Sequence, residues 1–213
     1  MNTFWDKYYE KPLDEVPWQN TQADWFKELI DHGDISGNSA LDLGCGTGRK
    51  AVYLVQHGGF KKVLGVDVSE QAIKYATLNA HNDSCGANCS FICHDLKDWS
   101  FLPKEEVFDF ILDWAAIHCL SRGEIKSYAD GITAHCRIGG RFIVRSFASG
   151  NPNQKEFTEE VGGIKSKISL LNEEELRGYF PKFRLILKNI SQPSKSKVDA
   201  GYYFIELLLQ RIL

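Results

Sequence analysis

The sequence predicts an α/β fold built on a mostly parallel sheet, with helices on both faces. Short apolar runs alternate with stretches of helical periodicity from residue 39 to residue 147. The first run, residues 39–43, feeds a glycine turn, Gly44-Cys45-Gly46-Thr47-Gly48, that opens into a helix. Four of the runs end in or beside a carboxylate: Asp42, Asp67, Asp95 and Asp113.

The 213 residues suit one domain, read as an N-terminal arm and helix over 1–35 and a core over 36–213. A hydrophobic fraction of 43% supplies a full core, and the composition is not that of disorder or low complexity. The formal net charge of −3 argues against a general attraction to nucleic acid. Residues 1–35 carry eight acids and three bases, whereas residues 181–213 carry six bases and two acids. That asymmetry reads either as solvated surface or as an acidic entrance on one side. No apolar run is long enough to span a membrane. The start, Met1-Asn2-Thr3-Phe4-Trp5-Asp6, is too polar and aromatic for a signal peptide, so a cytoplasmic setting with reduced thiols is expected. Cys85, Cys89, Cys93 and His94 have metal-ligating chemistry. Their spacing of four and the place of Cys93 inside a strand argue against zinc, and no metal is expected.

Residues 1–19 hold Phe4, Trp5, Tyr8, Tyr9 and Trp18 between Pro12 and Pro17, and read as an irregular arm. Its rings either pack on the domain or close over a ligand. A helix is expected from Asn20 or Thr21, since Trp25, Phe26, Leu29 and Ile30 recur at helical spacing before Gly33 and Gly37. Residues 49–57 form the next helix, with Ala51, Leu54 and Val55 inward and Gly58-Gly59 ending it. Residues 63–66 are a continuous apolar run, as in a buried parallel strand, and end at Asp67. Ser69 caps a helix whose inner face is Ala72, Ile73, Ala76 and Ala80.

The third strand covers 89–93 and the fourth 107–112. A helix follows over 122–136, and Gly139-Gly140 turn the chain into a fifth strand over 141–147. Residues 148–169 are polar and glycine-containing, and read as a long functional or mobile loop. Asn172 and Glu175 form a capping box for another helix. Two strands over 183–187 and 202–209, joined through a basic turn at 192–197, complete the chain as a hairpin at one sheet edge.

In an open parallel sheet, ligands bind beyond the carboxyl ends of the strands. Each of the four strand-end carboxylates, alone, reads equally as a cap or turn residue; together they ring one crevice. Asp67 lies where an acid accepts from both hydroxyls of a ribose. Asp95 is placed to accept from an exocyclic adenine amine, and Leu96 to offer its N–H to a ring nitrogen. A dinucleotide asks for Gly-x-Gly-x-x-Gly, but the spacing here is Gly-x-Gly-x-Gly, and Asp42 would repel a pyrophosphate. S-adenosylmethionine carries a ribose, an adenine and a cationic tail without phosphate, and suits the acidic ring better.

The series Leu41-Asp42-Leu43-Gly44-Cys45-Gly46-Thr47-Gly48, Gly65-Val66-Asp67-Val68-Ser69, Cys93-His94-Asp95-Leu96, 108–113 and Ile138-Gly139-Gly140-Arg141 resembles the class I S-adenosylmethionine-dependent methyltransferases over residues 38–147. The resemblance implies a Rossmann-like seven-stranded sheet whose last strand is antiparallel. It implies Gly44, Gly46 and Gly48 at the methionine part and ribose, and Asp67 with Val68 at the ribose end. It also implies Asp95 with Leu96 at the adenine, and Asp113 at the border of the methionine amino group and the acceptor. Phe4-Trp5-Asp6-Lys7-Tyr8-Tyr9 followed by Pro17-Trp18 is similar to the thiopurine and tellurite-resistance branch. That likeness implies an aromatic arm, with Trp18 closing over the cofactor, and small-molecule substrates.

Methyl transfer from a sulfonium leaves a neutral thioether, S-adenosylhomocysteine, so alignment and exclusion of water are the main demands. His118 is the candidate base, if the acceptor must lose a proton; otherwise it is a histidine with a structural hydrogen bond. Trp114, Phe147 and Arg145 are candidate pocket walls, with Arg145 serving an anionic substrate or a salt bridge. Asp113-Trp114-Ala115-Ala116 lacks the two prolines typical of nucleic-acid amino-methylating enzymes. The expected partner is a small-molecule acceptor, with a protein acceptor or a non-catalytic binding role as alternatives. The sequence sets no oligomeric state.

Overall fold

The computed structural model describes residues 4–16, 18 and 24–213. The expected helix start at Asn20 or Thr21, and Pro17, lie outside the described residues. The chain divides into two compact units, residues 1–96 with 160–164, and residues 97–159 with 165–213.

In the first unit the arm is not irregular. It contains a helical turn, α1 (Asp6–Tyr9), and a 3-10 turn at Leu13–Glu15. Four residues are too few to display a period, so α1 leaves no signal in the sequence. The order continues α2 (Asp24–Asp31), β1 (Ser39–Leu43), α3 (Arg49–Gln56), β2 (Lys62–Asp67), α4 (Glu70–Asn82) and β3 (Cys89–Cys93). β1 pairs in parallel with β2, and β2 with β3. Ala40, Leu41, Leu43, Val63 and Val66 are fully buried, as a parallel strand covered on both faces requires. Ser69 caps α4 by accepting from Ala72 N–H at 3.1 Å.

In the second unit β4 (Phe108–Trp114) pairs in parallel with β5 (Cys136–Ser149), and α5 (Arg122–His135) connects them. The segment 148–169, expected as a loop, is largely a hairpin of β6 (Glu156–Val161) and β7 (Ile164–Ser169), whose turn, residues 160–164, belongs to the first unit. It turns on Gly162-Gly163, both at positive φ (54° and 76°), as a two-residue hairpin turn demands. Then come α6 (Glu173–Tyr179), β8 (Phe183–Ser191), a short α7 (Lys195–Asp199) within the expected basic turn, and β9 (Tyr202–Arg211). β9 runs antiparallel to both β5 and β8. The seven-stranded sheet has the order β3-β2-β1-β4-β5-β9-β8, mostly parallel with the last strand reversed.

Candidate active site

In the first unit the glycine turn after β1 has three of its five positions without a Cβ. Gly44, Gly46 and Gly48 all have positive φ (71°, 53° and 73°), which residues with a Cβ adopt at a cost. Gly44 and Cys45 donate their N–H groups to Val66 O at 2.8 and 3.0 Å, tying the turn to the end of β2. A Cβ on Gly48 would lie 2.8 Å from the Phe91 ring, and one on Gly65 2.5 Å from it, so the Phe91 ring occupies the space both glycines leave.

Asp67, at the end of β2, is buried and accepts one N–H on each oxygen: Gly46 N–H at 2.9 Å and Ser69 N–H at 2.9 Å. Burial raises its pKa, and these backbone donors work in the opposite direction. Each carboxylate oxygen keeps further acceptor capacity, which suits a vicinal pair of hydroxyls. His94 N–H donates to the Asp67 backbone carbonyl at 2.9 Å, which ties the residues after β3 to the end of β2. There Asp95 is exposed and Leu96 half-buried; Val68, next to Asp67, is half-buried as well. Asp42 is buried, opposite Gly65 in the sheet register. Cys45 in the turn has its thiol pKa pushed well up by burial and then by Asp67 and Asp42.

The arm lies on this turn. Tyr8, Tyr9, Val16, Ala72 and Val161 form a buried cluster, with Phe4, Trp5, Leu13, Trp18 and Tyr75 against it. A Cβ on Gly46 would lie 2.9 Å from the Tyr9 hydroxyl. That hydroxyl accepts from Trp18 Nε1–H at 3.1 Å, and burial, then Asp67, raises its pKa. Asp6 accepts from Ser69 Oγ–H at 2.5 Å. Asp6, Tyr9 and Ser69 did not stand out as site residues in the sequence; the only available signal was the dense aromatic run.

Asp113 and His118 belong to the second unit. Asp113 ends β4 fully buried, with both oxygens engaged inside that unit: Oδ1 accepts from Ala116 N–H (2.7 Å) and Ile117 N–H (3.2 Å), and Oδ2 from Tyr128 O–H (2.8 Å). Burial lifts its pKa to about 7. These bonds hold a turn in which Ala115 has φ 82°, a strained value for a residue with a side chain. His118 lies in the 3-10 turn Ile117–Cys119. Phe147 N–H donates to its Nδ1 at 3.2 Å, and burial, then Arg145, lowers its pKa to about 3. Arg145 pairs with Glu206 at 2.9 Å, both buried, in register across β5 and β9. Of the two roles read for Arg145, the structure displays the salt bridge.

Among the described residues, no group of three or more His, Cys, Asp or Glu side chains comes together as a metal would need. All six cysteines are free thiols. Among the same residues, no helix is long and apolar enough to cross a membrane.

Residues 40–140 match the family described as "Methyltransferase domain". Ribosomal protein L11 methyltransferase from Shewanella sp. (strain ANA-3) is 28% identical over 140 residues, covering 66% of this chain and 42% of that protein. The match therefore spans less than half the length of that relative. Among solved structures, the [4+2]-cyclase SpnF superposes with a TM-score of 0.75 at 15% identity, covering 98% of this chain and 94% of its own. The 1,6-didemethyltoxoflavin-N1-methyltransferase of Burkholderia thailandensis, solved with 1,6-didemethyltoxoflavin and S-adenosylhomocysteine, superposes with a TM-score of 0.73 at 20% identity, over 99% of this chain and 86% of that one. At these identities the two structures share the fold with this chain.

Proposed function

We propose that this chain, which belongs to the class I S-adenosylmethionine-dependent methyltransferases through its domain at residues 40–140, transfers a methyl group to a small-molecule thiol, oxyanion or amine. The observation that carries this reading is the pairing of a turn with glycine at three alternate positions with the Asp67 carboxylate, which Gly46 and Ser69 orient through their N–H groups.

The donor set fits S-adenosylmethionine. Asp67 has acceptor capacity left for two ribose hydroxyls. Asp95 supplies an acceptor for the adenine amine, Leu96 its N–H for a ring nitrogen, and Val68 an apolar side chain beside them. Asp42 adds a negative charge that suits an ammonium group. Tyr9 lies against Gly46 and is hydrogen-bonded by Trp18, an arrangement that supports these two residues as the cover that would exclude water from the bound cofactor. When bound, the cofactor supplies an electrophilic methyl on a sulfonium, whose departure leaves a neutral thioether. Asp113, with both oxygens engaged in its own turn, is assigned to holding that turn instead of binding the cofactor's amino group.

A small acceptor is supported by the toxoflavin methyltransferase likeness, and the net charge of −3 fits no nucleic-acid substrate. Six free thiols fit a reducing, cytoplasmic setting. A protein acceptor is the second reading, favoured by the L11 methyltransferase relatives. The SpnF likeness keeps a role without methyl transfer in view, since that cyclase has the same fold. Calorimetric titration with S-adenosylmethionine, followed by methyl-labelled cofactor offered to thiols, oxyanions, amines and ribosomal protein L11, separates these readings. Saturable binding and label on a small acceptor are expected. Label on the protein alone would establish the second reading, and tight binding without transfer would remove the catalytic one.

A further inference from the structure

Inside the first unit, two backbone donors orient the Asp67 carboxylate, and each is touched by one residue of α1. Gly46 N–H donates to Oδ2 and Ser69 N–H to Oδ1. A Cβ on Gly46 would lie 2.9 Å from the Tyr9 hydroxyl, so that oxygen closes the space over Gly46. The Ser69 hydroxyl donates to Asp6 Oδ1 at 2.5 Å. Asp6 and Tyr9 begin and end the same helical turn and so share a face. One turn of the arm therefore bears on both supports of a carboxylate far away in sequence.

A helix this short does not persist by itself. Apolar burial holds it in place: Tyr8 and Tyr9 lie in one buried cluster with Val16, Ala72 and Val161, and α1 packs on α4. Ala72 N–H is also the group that the Ser69 hydroxyl caps, at 3.1 Å, so the apolar cluster and the polar contact meet at one residue. Trp18 Nε1–H donates to the Tyr9 hydroxyl at 3.1 Å and fixes where that oxygen lies. Burial raises the Asp67 pKa and the Asp6 carboxylate adds to the rise, so the arm acts on Asp67 through charge as well as contact. An acceptor that must meet two vicinal hydroxyls at once is sensitive to its aim, and a site of this kind has to be held to within about 0.5 Å.

From this arrangement we infer that Asp6 and Tyr9 are positioning residues for the ribose acid. They hold the two N–H donors that aim Asp67, so docking of the arm and recognition of the ribose hydroxyls are one linked event. The inference rests on the ribose role of Asp67 proposed above and deepens it. It gives the arm a selective task beyond covering a ligand. An arm that only covers the site raises the affinity of every nucleoside alike, whereas an arm that aims Asp67 favours nucleosides with both hydroxyls. Linkage makes the effect reciprocal: those hydroxyls tighten the arm by the factor with which the arm tightens their binding. Asp6 serves here as an acceptor for the Ser69 hydroxyl, a task that an amide oxygen also performs.

The test uses the full chain and calorimetry, with adenosine and 2′,3′-dideoxyadenosine as probes. The native protein should prefer adenosine. Asp6→Ala should lower adenosine affinity about fivefold, the worth of one hydrogen bond, and leave that of the dideoxynucleoside within about twofold. Asp6→Asn should restore the native preference. Tyr9→Phe, which keeps its ring in the cluster, should narrow the preference in the same direction as Asp6→Ala. In hydrogen exchange on the native protein, the Tyr8, Glu10 and Lys11 amides, all bonded within the arm, should slow with adenosine and not with the dideoxynucleoside. Equal losses for both nucleosides in Asp6→Ala, or no rescue by Asp6→Asn, would overturn the inference and leave α1 as packing. Asp67→Ala separates this inference from the reading beneath it. If Asp67→Ala keeps the native preference, the ribose role falls and this inference with it. If Asp67→Ala loses the preference while Asp6→Ala and Tyr9→Phe keep it, this inference alone falls.

Discussion

Asp113→Asn should change how stability depends on pH. In the folded chain burial lifts the Asp113 pKa from 3.8 to about 7, against the pull of its hydrogen-bond donors. A folded-state pKa above the unfolded one means that the folded state holds the proton more tightly. The stabilisation from that proton is fully present below about pH 4 and is lost as pH rises through 7. A shift of about three units at 1.36 kcal/mol each makes the full swing about 4 kcal/mol. Asparagine keeps a carbonyl for the Ala116 and Ile117 N–H groups, and its amide faces Tyr128, whose hydroxyl can turn to accept. The variant therefore preserves the turn and removes the titration. Urea unfolding followed by circular dichroism at pH 4, 5.5, 7 and 8.5 measures the difference between the two proteins. The variant should gain on the native chain by about 2–4 kcal/mol between pH 4 and 7, then hold level. A difference that stays flat with pH, or that runs the other way, would refute the assignment of Asp113 as a buried acid titrating near neutrality.

Asp67→Ala removes charged hydrogen bonds to the proposed ribose and should weaken S-adenosylmethionine binding by about 1.5–3 kcal/mol by calorimetry; unchanged affinity would sink the ribose role. Gly46→Ala places a Cβ 2.9 Å from the Tyr9 hydroxyl at φ 53°, and should lower unfolding stability by about 1–2 kcal/mol. Part of that loss should return when Tyr9→Phe is added, and a strictly additive double mutant would show that the two do not touch. Glu206→Ala strands the buried Arg145 charge and should cost about 3–5 kcal/mol in chemical denaturation; a loss below about 1 kcal/mol would mean that water reaches the guanidinium.

Legibility in the sequence followed the range of the interaction. β1, the glycine turn and Asp67 were readable because apolar runs, glycine spacing and a strand-end acid are local signals. The β6–β7 hairpin carries its own signal, with Phe157 and Val161 alternating on one side of Gly162-Gly163 and Ile164 and Ile168 on the other. Intervening Glu, Lys and Ser residues made the segment look like a polar loop, although alternation with polar partners marks a half-exposed strand. The strand-end position of Asp113 was visible, but its direction was not. Tyr128, fifteen residues later, and the N–H groups of its own turn hold the carboxylate. The Arg145–Glu206 pair spans 61 residues and exists only through the β5–β9 register. The same limit applies to His118, whose tautomer is set by a backbone N–H 29 residues away.

The double bonding of Ser69 limits what the chain can tolerate at that position over evolutionary time. Its hydroxyl accepts from Ala72 N–H and donates to Asp6, 63 residues earlier. As a helix cap alone, Asp or Asn would serve as well as Ser. Asp would set one carboxylate against another, and a change at position 6 to a residue without an acceptor would end the second bond. A hydroxyl gives and accepts at once, so Thr is the neutral exchange. Drift at residue 69 is thereby coupled to residue 6, and related chains that lose the acid at one position should be free to change the hydroxyl at the other.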